Sequence, residues 1–291
     1  MNLIIETDLG CDPDDFYAIC YIISAEINVR AITIYPGDND QMAFVKWLLR
    51  ELDLNIPIGA SSLNRQKSSL SGLHTNLLKK YGQPHTALPD GLGSEIITNT
   101  FQDFPDSELF IIGPPKSMGI FLYENKSAEI SRATIQGGFI GYDVHGLPCR
   151  RLKKFEEKST FQTYNLNGDI FGSKQILEAN IKHRQFVSKN VNHTIIYDKN
   201  IHERIMGIKP KNRAGEILRE ALCLQVKEYG PKKFHDPMAA VCHLHPEIAT
   251  WVKAKLYNIG NEWGANLDDN GDNIIIDVDR EKFWKCIAES N

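Results

Sequence analysis

The sequence predicts an α/β protein: one domain over residues 1–291, with a central, mostly parallel sheet flanked by helices and a small β pair and helix at the C-terminal end. Three observations lead there. Short apolar runs alternate with longer amphipathic ones through the first half, which is the pattern of βαβ units. The runs LIIET (3–7) and LFIIG (109–113) are almost wholly apolar, as strands covered on both faces should be. No Pro/Gly/Ser-rich linker, repeat or low-complexity segment divides the chain.

Taken in order, LIIET precedes the helical FYAICYIISA (16–25), VRAITIY (29–35) precedes QMAFVKWLLREL (41–52), and ELFIIG (108–113) precedes SMGIFLYE (117–124). RATIQGG (132–138) closes the first half as another strand. The second half is less regular, with a polar stretch over 141–162 and helical segments over 168–179 and 213–229. VKAKLYNI (252–259) and NIIIDVD (273–279) read as a β pair joined around EWGANLDDNGD, followed by the helix REKFWKCIAE (280–289); this tail is expected at the sheet edge.

A net charge of -4, with Lys and Arg mixed among Asp and Glu, gives no broad cationic face for nucleic acid, so a small-molecule partner is expected. The N-terminus MNLIIETDLG turns acidic after a few apolar residues, unlike a signal or transit peptide. No apolar run reaches the length of a membrane span. The 6 cysteines are scattered without CxxC spacing, so a reducing cytoplasm is expected.

The stretch ETDLGCDPDD places Glu6, Asp8, Asp12, Asp14 and Asp15 where the first strand ends and the first helix begins. Ligands bind outside the carboxyl ends of strands in open α/β sheets, so these carboxylates crowd the expected site. Capping explains part of the cluster: Asp12 suits the N-cap, Pro13 the first turn, and Asp14 and Asp15 the positive end of the helix dipole. Asp8, on the strand side, cannot cap that helix. Carboxylates so close repel one another unless protons or a cation neutralise them, and oxygen-only ligation favours Ca²⁺ or Mg²⁺ over zinc.

DLGCDPDD resembles the longer-loop form of the acidic signature that opens nucleoside hydrolases. PGDNDQ, IIGPPKSMG, IQGG, TYNLNGD and FHDPMAAV then follow in that family's order along nearly the whole chain. The resemblance implies a calcium-dependent N-ribohydrolase of nucleoside salvage, a homo-oligomer that cleaves a ribonucleoside to ribose and free base. It implies that Asp8 is both a calcium ligand and the base acting on the attacking water. Asp15, Asp236 and the backbone carbonyl of Ile112 would complete the protein ligands, and Asp14 and Asn165 would hold ribose hydroxyls. Four positions depart from the family's pattern: Thr163 stands where many members carry Glu, Glu157 where Asn is expected, Glu6 where the strand-end residue is usually Asp, and Ile112 where Thr is usual, a change that a carbonyl ligand tolerates.

Cleavage through an oxocarbenium-like sugar suits clustered carboxylates, and departure of the base is eased by a proton donor. His235, beside Asp236, and His74, in a segment expected to cover the site, are the candidate histidines. Trp263 is expected to pack at the sheet edge rather than stack on a base. The loops 61–91 and 139–162 are expected to enclose the base, and they leave its identity open, a modified nucleoside such as queuosine included. Other readings fit less well. A haloacid-dehalogenase-type phosphatase needs an Asp-x-Asp that Glu6-Thr7-Asp8 does not supply, and Cys242, His243 and His245 are poorly spaced for zinc. A catalytically silent nucleoside-binding relative is separated from an enzyme by release of free base.

Overall fold

The computed structural model describes residues 1–62, 70–82 and 87–290. From the N-terminus, β1 (Asn2–Thr7) leads to α1 (Asp14–Ser24), β2 (Asn28–Ile34) to α2 (Asn39–Glu51), β3 (Ile58–Ala60) to α3 (Gly72–Tyr81), and β4 (Gly91–Leu92) to α4 (Gly93–Asp103). Next come β5 (Glu108–Ile111), α5 (Lys116–Glu124), β6 (Glu129–Gln136), α6 (Tyr142–His145), β7 (Thr160–Phe161), α7 (Tyr164–Gly168), α8 (Ile170–Glu178), β8 (Asn180–Val187) and α9 (Lys189–Asn192). The remainder supplies β9 (Ile196–Tyr197), α10 (Lys199–Ile205), α11 (Arg213–Leu224), β10 (Lys232–Lys233) and α12 (His235–Leu244). It ends with β11 (Ala249–Ile259), β12 (Glu262–Leu267), β13 (Asp272–Val278) and α13 (Arg280–Ser290).

The main sheet has 11 strands in the order β4-β3-β2-β1-β5-β6-β8-β13-β11-β12-β7. Pairing is parallel from β4 across to β13, and antiparallel among β13, β11, β12 and β7. The mostly parallel sheet read from the sequence is therefore present, as is the antiparallel pairing at the C-terminal end. One detail differs. The segment expected only to connect that pair is itself the strand β12, because Trp263 and Ala265 enter the core from it. β13 lies parallel beside β8, so the tail extends the sheet instead of closing its edge.

Alternation along β1 explains why the sheet is covered twice. Leu3 and Ile5 enter one buried cluster, with Phe16, Phe44, Trp47 and Met238, while Ile4 enters another, with Met118, Phe121 and Ile176. Each fully buried aliphatic side chain of this kind contributes about 1.5–3 kcal/mol. Truncating Ile4, wholly buried in the strand, to Ala should cost roughly 2–5 kcal/mol.

The strand order reverses at β1 and β5: β2, β3 and β4 extend to one side, and β6 and β8 to the other. The crevice at the carboxyl ends of these two strands is the switch point at which such sheets bind ligands. Gly113, just beyond β5, crosses the chain after β1 so closely that a Cβ there would lie 2.4 Å from the Asp8 nitrogen. No helix among the described residues is long and apolar enough to cross a membrane.

Candidate active site

A cavity of about 440 Å³ opens at this switch point. Its floor carries Asp8, Asp12, Asp14 and Asp15 from the turn between β1 and α1, and Asp236 from the first turn of α12. Packing of α1 against α12 brings the two helix starts together. Ile112 follows β5 and Gln136 ends β6; both line the cavity, as do Thr163, Tyr164 and Asn165. Lys189, His193 and His235 complete its wall.

The acidic turn is held by hydrogen bonds from several sides. The Thr7 hydroxyl donates to Asp15 Oδ1, and the Asp8 N–H reaches the same oxygen at 3.3 Å. Gln41 Nε2 donates to the Leu9 carbonyl at 2.7 Å, while Asp38 and Gln41 form a capping box at the start of α2. The PGDNDQ segment thus braces the acidic turn through its glutamine. Glu6 is not in the cavity: it is wholly buried, and accepts from the Ser117 and Met118 N–H groups at 2.7 and 3.0 Å, capping α5. Burial pushes its carboxyl up to about 8, against these hydrogen bonds.

Asp12 does not cap α1 as expected. The cap position falls on Pro13 with no side-chain hydrogen bond, and the Asp12 carboxylate instead pairs with Lys232 Nζ at 2.5 Å. A nearby ammonium group competes better for the carboxylate than backbone N–H groups do. The same ammonium lies 3.3 Å from Asp14 Oδ1. Asp14 Oδ2 accepts from the N–H groups of His235 and Asp236 at 3.2 and 3.4 Å.

The floor concentrates negative charge where water is scarce. Burial, then the Asp14 charge, pushes Asp8 up to about 8, and the same two causes push Asp12 to about 6. Asp15 rises well above the usual carboxylate range through burial and the charges of Asp8 and Asp14; Asp236 rises through burial and the charges of Asp14 and Asp15. Oxygens of Asp14, Asp15 and Asp236 all lie within 4.8 Å of one another. A buried oxygen-only donor set with unneutralised charge fits a hard divalent cation. Both Asp14 oxygens, however, are already engaged by Lys232 and α12, whereas Asp8 faces the cavity without a cationic partner among the described residues.

Asn165 sits at the other end of the floor. Its Nδ2 donates to the Ile112 carbonyl at 2.9 Å and to Gln136 Oε1 at 2.6 Å. The Ile112 carbonyl keeps a second lone pair for another partner. Thr163, also lining the cavity, is buried with its hydroxyl unpartnered among the described residues. Glu157 is exposed, has φ 59°, and does not line the cavity.

His235 lies with Nδ1 3.6 Å from Asp14 Oδ2 and Nε2 buried without a partner among the described residues. Burial and the Lys232 charge push its pKa down to about 3, so the resting ring is neutral. His193, which the sequence reading did not single out, lies beside it with ring centroids 4.7 Å apart. Burial, His235 and Lys154 push His193 down to about 2.

His74 lies outside the cavity, contrary to its expected place near the substrate. It is in α3, wholly buried, its ring against Phe16 and Phe44 and its Nδ1 2.8 Å from the Ser71 hydroxyl. Burial lowers its pKa to about 4. The apolar face of α3 draws the ring into the core, where it lies against the Gly10 backbone of the acidic turn; the Gly10 carbonyl also accepts from the Ser71 N–H. Of the loop 61–91 expected over the base, residues 63–69 and 83–86 lie outside the described residues. Trp263 is core, as expected. Cys242 and His243 are buried in α12, where His243 Nδ1 meets the Thr134 hydroxyl at 2.9 Å; they form no metal cluster with His245 among the described residues.

Fold and floor together define an α/β protein that receives a small ligand at the sheet's switch point, against carboxylates suited to a metal ion. The profile of the inosine-uridine preferring nucleoside hydrolase family matches residues 3–285, and the chain belongs to that family. Its coarse activity is therefore that of an N-glycosyl hydrolase acting on nucleosides. Over 294 residues it is 25% identical to an uncharacterized protein of Aquifex aeolicus, covering 97% of each chain. A plant nucleoside hydrolase superposes with a TM-score of 0.74 at 16% identity, covering 99% of this chain and 98% of the other. An inosine-guanosine nucleoside hydrolase gives 0.71 at 18% identity, over 99% of this chain and 98% of that one. The inosine-uridine preferring nucleoside hydrolase of Bacillus anthracis gives 0.71 at 16% identity, over 100% and 99%.

Proposed function

We propose that the protein hydrolyses the N-glycosidic bond of a ribonucleoside to ribose and free base, with Ca²⁺ held by Asp8, Asp15, Asp236 and the Ile112 carbonyl. The observation that carries this reading is the convergence of the aspartates after β1 with Asp236 from α12 on one buried floor. Asp14 is within reach of the same ion, but its two oxygens are taken up by Lys232 and by backbone N–H groups. It is assigned instead to a ribose hydroxyl, together with Asn165. When bound, Ca²⁺ supplies a Lewis acid that orients the sugar diol and makes a water easier to deprotonate.

Asp8 is the base. It faces the cavity without a cationic partner among the described residues, where its carboxylate can accept a proton from a water held on the floor. The remaining aspartates stabilise positive charge developing on the sugar ring. His235 faces the departing base with an unpartnered Nε2. Burial and the Lys232 charge keep this ring neutral, so His235 assists departure by hydrogen bonding from its neutral ring to the base nitrogen. The cytoplasm is the proposed location, supported by six free thiols.

The test is release of free base from a panel of common and modified nucleosides by calcium-loaded protein, with the metal content measured directly. Base release that chelation stops and added Ca²⁺ restores is expected. A fully loaded protein that releases no base from any nucleoside would overturn the reading.

A further inference from the structure

Positive charge also gathers at the wall of the cavity. Lys189 and His193 line it, and Lys154 Nζ lies 2.6 Å from His193 Nδ1. Lys189 Nζ donates to the Gln162 carbonyl at 2.7 Å, and Lys233 stands two positions before His235. Among the described residues, no carboxylate lies within ion-pair distance of Lys154, Lys189 or Lys233. Lys232, one position away, shows the contrast, for it is paired with both Asp12 and Asp14. Burial together with repulsion from Lys233 pushes Lys154 below the ordinary lysine value, and burial with Lys154 and Lys233 does the same to Lys189.

Cations gathered without a counter-charge raise the energy of the free protein, and an entering anion relieves it. Thr163 adds an independent observation. It is 2% exposed, lines the same cavity, and its buried hydroxyl has no partner among the described residues.

We propose that this wall is an anion subsite and that the substrate is a nucleoside bearing a negatively charged substituent, either a 5'-phosphate on the sugar or a carboxylate on the base. The proposal rests on the hydrolase reading above for its chemistry, but binding alone can test it. Lysine ammonium groups and a hydroxyl suit phosphate or carboxylate oxygens, and a neutral nucleoside would leave them unmatched.

Inosine, inosine 5'-monophosphate and orotidine are compared on calcium-loaded protein, by calorimetric binding and by kcat/KM for base release. One anionic compound is expected to bind at least tenfold tighter than inosine, with the preference shrinking as salt rises. The phosphate winning would place the charge on the sugar, and orotidine winning would place it on the base. In Lys154→Met/Lys189→Met the anionic-to-neutral ratio should fall at least tenfold. Lys154→Gln, at an exposed position, provides the same reading should the double variant fail to fold. Equal or better binding of inosine, or a ratio unchanged in the variants, overturns the subsite while leaving the hydrolase reading intact. Tight, lysine-dependent binding of an anionic compound with no base released from any of the three would uphold the subsite and count against the hydrolase.

Discussion

The cavity holds a floor of five aspartates and a wall of Lys189 with two histidines, backed by Lys154 and Lys233, but floor and wall are assembled differently. Four of the floor carboxylates lie in the single turn between Asp8 and Asp15, and only Asp236 arrives from elsewhere. The wall is gathered from three separate places: Lys154 before β7, Lys189 and His193 around α9, and Lys233 with His235 at the entry to α12. Floor charge is concentrated by a local turn that the sheet holds at its switch point. Wall charge exists only once β8 and α12 have been brought together. The floor is accordingly proposed to take the cation and the sugar, and the wall whatever the sugar carries.

Asp8→Asn should give the largest effect on this contrast. Removing the base from the floor is expected to lower kcat by about 10²–10⁴ while binding changes far less. Steady-state kinetics with metal content measured alongside checks it; full turnover in a calcium-loaded variant would remove Asp8 from that role.

The second prediction concerns the cation and pH. In the metal-free protein Asp8 has a folded value of about 8 against an ordinary 3.8, so folding takes up a proton. The stability this gives is present below the ordinary value and is lost as pH rises to about 8; Asp15 and Asp236 shift in the same direction. Ca²⁺ replaces those protons, so its stabilisation should grow from about pH 5 to about pH 8, reaching about 2.7 kcal/mol when the ion is at 100 times its Kd. Melting curves with and without Ca²⁺ across that range decide it, and a gain independent of pH would mean that the ion is not displacing protons from this floor.

The sugar contacts come next. If Asp14 and Asn165 hold ribose hydroxyls, a 2'-deoxynucleoside forfeits a hydrogen bond to a charged group, at a cost of about 1.5–3 kcal/mol, which is tenfold or more in kcat/KM. Equal values for the two sugars would mean that Asp14 and Asn165 do not hold the ribose hydroxyls. The smallest effect is expected away from both sides. His74→Phe should leave kcat/KM within about threefold of the parent, any cost appearing in the melting temperature, because the ring only packs behind the acidic turn. A loss comparable to that of Asp8→Asn would return His74 to the site.

The floor could be read before folding because strand end, turn and helix start are contiguous in DLGCDPDD, and because like charges at such spacing need a neutralising partner. The parallel sheet was legible for a similar reason, since LIIET and LFIIG must be covered on both faces. His74 misled because its environment is tertiary: Phe16 and Phe44, from α1 and α2, turn a polar residue in a polar-looking segment into core. Glu6 and Asp12 were visible as acids, but which backbone or ammonium group would take each depended on α5 and β10. The lysine wall gave no local signal at all. Its members lie dozens of residues apart, in stretches whose charge looks like ordinary solvated surface.

The position of β13 has a consequence for how the chain becomes a protein. This strand, formed by residues 272–278, stands in the interior of the sheet, between β8 and β11. During synthesis the ribosome must release the chain as far as Val278 before that gap can be filled. Until then β8 has one open side, and β11 with β12 has no place to dock. Such an ordering delays completion of the sheet until β13 has emerged and exposes an unpaired strand edge in the interval. The nascent chain's need for protection from aggregation should thus be greatest just before β13 emerges.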